Sequence, residues 1–236
     1  MISIKKLRKD FGPRTVLNEL DLEIPAGQAT GIVGPNGSGK TTTIKALLGL
    51  VKPTSGDIVV DGKSIEGEWL YRRKIGYMPQ IARYPENMTI GELFEFIKNM
   101  RGSDTNRDRE LLEYFDLDSE IDKRMRALSG GMRQKVGAIL AMMFDPEILI
   151  FDEPTAGLDP KSSVQFKRLV HEEKQKGKTV LLTSHIMSEI EELTDHLIFM
   201  VEGNIRYDGP MRELMERQQE QRLEGAVAKM MEETAA

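Results

Sequence analysis

The stretch GPNGSGKT, Gly34 to Thr41, constrains this chain more than any other. It fits G-x-x-x-x-G-K-[ST] and stands between an apolar run, ATGIVG, and a segment with apolar residues at helical spacing, KTTTIKALLGL. A glycine loop in that place needs a buried strand before it and a helix after it, which dictates an α/β fold. Its chemistry is equally specific. Gly34, Pro35, Asn36, Gly37, Ser38 and Gly39 form a loop whose backbone N–H groups wrap phosphates, and Lys40 adds a point charge to the β and γ oxygens. The Thr41 hydroxyl can ligate Mg²⁺, and Thr42 continues the binding segment into the helix. A chance match in a chain of this size is of order one in a hundred at ordinary glycine content.

Bulk properties narrow the class. With 236 residues, 39% hydrophobic and 30% charged, the chain can bury a real core. A net charge of −5 argues against nucleic-acid binding by bulk electrostatics. The absence of cysteine excludes disulfides and thiolate metal sites and fits a reducing cytoplasm. MISIKKLRKDFG lacks the apolar centre of a signal peptide, and no stretch approaches the roughly 18 apolar residues of a membrane span. A membrane role is therefore expected only through a partner.

Along the chain, ISIKKL, TVLNELDLEI and QATGIVG read as strands, the first two in an antiparallel layer. GDIVVDGK and KIGYMPQ read as further strands. From about Ile81 to Ala127 the pattern turns helical, in ELFEFIKNM and RELLEYFDL. Strand signals resume at EILIFDEP and TVLLTSH, on either side of a helix with Asp159 as N-cap, Pro160 at its first position and Gly177 at its stop. Alternation of this kind indicates βαβ units and a parallel sheet. HLIFMVEGNIRYDG reads as a closing hairpin. The last stretch, from Met211, is charged and helix-forming with no clear long apolar face, and a solvated helix is expected there. The expected division is residues 1–80 and 140–210 as nucleotide-binding core with a β subdomain, 81–139 as a helical subdomain, and 211–236 as a tail.

Two further motifs carry chemistry. ILIFDEP ends an apolar strand in two carboxylates: Asp152 suits a Mg²⁺ shell, and Glu153 can orient and activate a water. LSGGMRQ places Ser129, Gly130 and Gly131 at the start of an apolar helix, where bare N–H groups and the helix dipole favour an anion.

Phosphate loop, LSGG and acidic strand end, with a helical segment between the first two, resemble the ATP-binding-cassette ATPases over residues 1 to about 210. The resemblance implies a P-loop NTPase core of RecA-like type, with an antiparallel β layer and an inserted α-helical subdomain, using ATP and Mg²⁺. It implies that Gln80 contacts Mg²⁺ and the attacking water, that AGLD ending at Asp159 crosses between subunits, and that His185 reaches the γ-phosphate. Phe11 matches the adenine-stacking aromatic, with Val16 near the ribose; Phe11 as a strand core residue is the alternative. In the family, ATP on the phosphate loop of one subunit is closed over by the signature of the other. A second ATPase subunit, expected to be identical, and an integral-membrane permease are the implied partners, at the cytoplasmic face of the cell membrane, with no direct nucleic-acid contact. Ile81, Tyr84, Met88 and Ile90 are expected near the permease, although Ile90 reads better as core.

A soluble cassette ATPase acting on nucleic acid or ribosomes is the alternative, but only 49 positions separate Gln80 from Ser129, which leaves no room for a long coiled coil. A nucleotide switch without turnover fits less well, since Lys40, Asp152, Glu153 and His185 are all present. The GLDP segment and the LEGAVAKMMEE tail resemble the subfamily serving exporter-type permeases made as separate chains. Residues 74–102 resemble the ATPase of the copper-site maturation system of nitrous oxide reductase.

Overall fold

The computed structural model describes residues 1–235. The chain runs β1 (Ile2–Phe11), β2 (Arg14–Ile24), β3 (Ala29–Val33), α1 (Lys40–Leu47), β4 (Ser55–Val60), β5 (Lys63–Ser64), β6 (Ile75–Met78), α2 (Ile90–Arg101), α3 (Arg107–Tyr114), α4 (Gly130–Met142), β7 (Ile148–Asp152), α5 (Pro160–Gln175), β8 (Thr179–Thr183), α6 (Met187–Leu193), β9 (His196–Val201), β10 (Asn204–Pro210), α7 (Met211–Arg217) and α8 (Leu223–Ala235).

Two sheets result. An antiparallel one has the order β2-β1-β4-β5; a six-stranded one has the order β10-β9-β3-β8-β7-β6, parallel except for the edge strand β10. Every residue of β3, β7 and β8 is buried, as continuous apolar strands covered on both faces must be. Alternate residues feed opposite cores. Leu149 and Phe151 of β7 join a cluster with the helices, whereas Ile148 and Ile150 join the cluster facing the antiparallel sheet and α1.

The helical segment is well specified locally. Thr89 and Glu92 form a reciprocal capping box at the start of α2, and Gly102 ends it in the left-handed region. Helix α4 crosses residue 139, the expected subdomain boundary, without a break. A buried ion cluster ties this segment to the core. Glu173 of α5, whose side chain is fully buried, accepts from Arg107 of α3 at 2.5 Å, from Lys176 at 2.8 Å and from Lys178, while Asp145 also pairs with Arg107 and Lys178.

The tail departs from expectation. Helix α8 is not solvated on all sides: Leu223, Ala226, Val227 and Met230 are buried against the core, and Leu223 N donates to Glu191 of α6 at 3.0 Å. Their i, i+3, i+4, i+7 spacing is a short apolar stripe, hidden in the sequence by the density of glutamate around it.

Candidate functional site

The expected residues converge at the C-terminal edge of the parallel sheet, where open α/β folds place their ligands. Strand β3 runs into the phosphate loop, β7 into Asp152 and Glu153, β8 into His185, and β6 into Gln80. Register makes these ends level: Thr183 pairs with both Ile32 and Asp152, and Met78 with Phe151. A cleft of about 290 Å³ at this edge is lined by Arg14, Val16, Gln80, Asp152, Glu153 and residues 36–42 of the phosphate loop. Two larger hollows, of about 870 and 720 Å³, open on the antiparallel sheet, and no residue of the nucleotide motifs lines them.

The loop backbone excludes side chains. Gly34 has φ +150°, and a Cβ there would lie 2.0 Å from the carbonyl oxygen of Met200; at Gly39, φ +108°, it would meet Leu17 at 2.7 Å. The loop is braced from the far end of the chain, because Gly203 N donates to Ser38 O at 3.0 Å and Asn18 N donates to Gly203 O at 2.9 Å. Lys40 Nζ donates to Gly34 O at 2.7 Å and Pro35 O at 3.1 Å, inside the bend of the loop. Burial pushes this ammonium below its ordinary range, against the pull of Glu153 and Asp152. An anion in the loop would relieve that penalty. The buried Ser38 Oγ has no hydrogen-bond partner among the described residues, which again suits an oxygen-rich ligand.

Asp152 is buried, and its Oδ1 accepts from Thr183 Oγ1 at 2.6 Å. Burial raises its carboxyl above the usual range, with Glu153 adding to the rise and Thr183 and Lys40 opposing it. A cation in the cleft would favour its charged form. Thr41, Gln80 and Asp152 are hard oxygen donors that line the cleft, the donor chemistry that Mg²⁺ shares with substrate phosphates. Glu153 stands at φ +54°, where a non-glycine residue is strained, and its N–H is held by Thr183 O at 3.1 Å and Thr183 Oγ1 at 3.2 Å. This kink turns the carboxylate out of the strand line. Its Oε2 lies 2.6 Å from His185 Nδ1 and accepts from His185 N at 3.2 Å. The Glu153 side chain is 11% exposed and that of His185 71%, so the imidazole covers the carboxylate from the solvent side.

The signature lies elsewhere. Ser129, Gly130, Gly131 and Asp159 do not line the cleft of their own chain. They do lie together: Gln134 Nε2 donates to Ala156 O at 3.1 Å, and a Cβ on Gly131 would come within 3.1 Å of Gly157 O. Ser129 caps α4 by accepting from Met132 N at 3.2 Å, and its own hydroxyl hydrogen remains available to an acceptor. Asp159 caps α5 by accepting from Ser162 N at 3.0 Å.

Phe11 is 51% exposed at the end of β1, with Lys9 Nζ 4.8 Å from its ring centroid, so it is not a core residue. It does not line the phosphate cleft, whereas Val16 does. Sequence reasoning missed Arg14 and Thr183. Neither had a distinct signal: Thr183 is one of two threonines that bracket the apolar run of β8, and Arg14 is an exposed charge at the start of β2.

The sequence pattern of the family described as "ABC transporter" matches residues 17–156. The lantibiotic transport ATP-binding protein SrtF of Streptococcus pyogenes is 37% identical over 216 residues, covering 89% of this chain and 92% of that protein. Nod factor export ATP-binding protein I of Cupriavidus metallidurans is 36% identical, over 92% of this chain and 73% of its own length. Among solved structures, the ATP-binding subunit of an ABC transporter superposes with a TM-score of 0.90 at 26% identity, over 98% of this chain and 99% of that one. A dimeric bacterial ABC transporter cassette superposes at 0.81 with 27% identity, over 89% of this chain and 98% of that one.

Proposed function

The chain belongs to the ABC transporter family as an ATP-binding subunit, and on that premise we propose that two copies close around two ATP molecules and drive a separately made membrane permease. ATP hydrolysis coupled to transport is the family's activity, so the chain is an ATPase. The single observation that carries its residue roles is the Glu153–His185 contact beside the phosphate loop.

In this reading residues 34–42 hold the phosphates, with Lys40 released from its loop carbonyls to the β and γ oxygens. Thr41, Gln80 and Asp152 would hold Mg²⁺, which when bound supplies positive charge to those oxygens. Glu153 is the general base. It accepts the water's proton at Oε1, and His185, donating through Nδ1 to Oε2, fixes that carboxylate while Nε2 stays free toward the γ-phosphate. Phe11 stacks on adenine, and Val16 packs at the ribose. Ser129, Gly130, Gly131 and Asp159 act on ATP held by the other copy, in keeping with their position outside the cleft of their own chain. The dimeric neighbour supports this arrangement.

Among the described residues no helix is long and apolar enough to cross a membrane. Membrane contact, at the cytoplasmic face, is assigned to the permease, docking beside Gln80 on the segment 81–139. Ile81, 74% exposed, leads that surface. Tyr84 and Met88 are half-buried against the core, and Ile90 is fully buried within it. The name of the Cupriavidus relative, a Nod factor export protein, favours export. The finer reading, copper-site maturation of nitrous oxide reductase, is supported by residues 74–102 alone. Identification of the permease that co-purifies from detergent-solubilised membranes decides between them.

The test of the core proposal is phosphate release by the full chain with Mg²⁺ and ATP. Glu153→Gln is expected to lower turnover by about 10²- to 10⁴-fold, the scale of a lost general base, while an ATP-bound dimer accumulates in size-exclusion chromatography. Normal hydrolysis by that variant rejects Glu153 as the base.

A further inference from the structure

Glu189 lies on α6, four residues beyond His185, with only 8% of its surface exposed. Its Oε2 accepts two hydroxyls: Thr155 Oγ1 at 2.6 Å and Ser184 Oγ at 3.1 Å. Each hydroxyl belongs to a different catalytic loop. Thr155 follows Glu153 and Pro154, and its carbonyl accepts from Leu158 N at 3.0 Å to begin the turn that leads to Asp159. Ser184 precedes His185, and its Oγ also accepts from Ile186 N at 3.0 Å, closing the turn on which the imidazole stands.

A buried carboxylate whose partners are neutral hydroxyls carries a desolvation cost that an apolar residue would not. Among the described residues no lysine, arginine or histidine hydrogen-bonds or ion-pairs with it. Packing alone does not explain the choice of glutamate. One acceptor oxygen shared by two loops does explain it, because it sets the distance between them.

We propose that Glu189 is a positioning residue for hydrolysis: it ties the His185 loop to the loop after Glu153 and so fixes the Glu153–His185 contact of 2.6 Å. The tie extends to the signature, since Ala156, next to Thr155, accepts from Gln134 of α4, the helix that Ser129 caps. The inference rests on the ATPase reading above. Small displacements of a catalytic pair can cost up to about 10²-fold in rate without loss of binding.

The experiment compares Glu189→Ala, Glu189→Gln, Thr155→Val and the double variant Glu189→Ala/Thr155→Val in the full chain. Phosphate release against ATP concentration gives kcat and KM, a fluorescent ATP analogue gives nucleotide affinity, and thermal unfolding reports stability. Glu189→Ala is expected to lower kcat about tenfold, within that range, with analogue affinity close to wild type. Glu189→Gln, whose amide oxygen still accepts, is expected to restore most of the rate. Thr155→Val should act in the same direction, and the double variant should be no slower than Glu189→Ala. Wild-type kcat in Glu189→Ala overturns the proposal, as do losses that multiply in the double variant or a Glu189→Gln no faster than Glu189→Ala. Should Glu189→Ala fail to fold, wild-type kcat in Thr155→Val overturns it instead. A wild-type chain that releases no phosphate rejects the ATPase reading and this inference together; an active wild type with an indifferent Glu189→Ala rejects the inference only.

Discussion

Thr183 makes three hydrogen bonds to two polar groups at the end of β8: to the carboxylate of Asp152 through its hydroxyl, and to the N–H of Glu153 through both its hydroxyl and its carbonyl. It therefore maintains the left-handed backbone of Glu153 and the orientation of Asp152 at once. Thr183→Val keeps the β-branched shape and removes the hydroxyl alone. The expected outcome in steady-state phosphate release is a kcat lowered by about tenfold or more with nucleotide affinity kept, because an incorrectly held base costs rate before it costs binding. At this scale the phosphate loop, Asp152, Glu153 and His185 were legible in the sequence, since each motif is contiguous and its residue types are tied to one chemistry. Thr183, Arg14 and Glu189 were not. Thr183 and Glu189 act through partners on other segments and Arg14 only lines the cleft, and a lone threonine, arginine or glutamate in a strand or helix has many commoner reasons to be there.

Among the elements, α5 and α8 show where charge misleads. In α8 the apolar stripe is only four residues long, and its glutamate-rich surroundings concealed it until packing against α6 made it visible. Leu223→Ala is expected to cost about 2–5 kcal/mol, as for other buried leucines, measured by urea unfolding. In α5 the deeply buried Glu173 is one charge among several. Burial pushes its carboxyl up, but Lys176, Lys178 and Arg107 outweigh burial and hold it below the usual carboxylate range. A depressed value in the folded state means the cluster stabilises fully above the ordinary carboxylate pKa of 4.5, and that contribution is lost as pH falls through the lower folded value. Urea unfolding across the acid range should therefore show wild-type stability falling below about pH 4.5 more steeply than that of Glu173→Gln. At neutral pH the same variant should be less stable by about 3–5 kcal/mol, because it removes the buried counter-charge of Arg107 and Lys178 and leaves them only the exposed Asp145. Independence of stability from pH between the two proteins would contradict this account.

At the scale of the whole molecule, the separation of Ser129 from the phosphate cleft of its own chain makes a specific demand. Ser129→Arg is expected to leave nucleotide binding at Lys40 intact and to abolish dimer closure and turnover, read by analogue titration, light scattering and phosphate release. Loss of nucleotide binding by the isolated subunit would instead place the signature in its own site. The layered architecture was readable from the alternation of strands and helices, since a parallel sheet leaves continuous apolar runs in sequence. The strand order was not, because nothing in ATGIVG says which neighbours flank it.

That order has a consequence for synthesis. Strand β3 emerges early, yet both strands that flank it, β8 and β9, come some 150 residues later, and the turn that braces the phosphate loop, at Gly203, comes later still. A nascent chain that has displayed its whole glycine loop still lacks the walls of the nucleotide pocket. Synthesis must pass residue 203 before the phosphate loop has both its flanking strands and its brace.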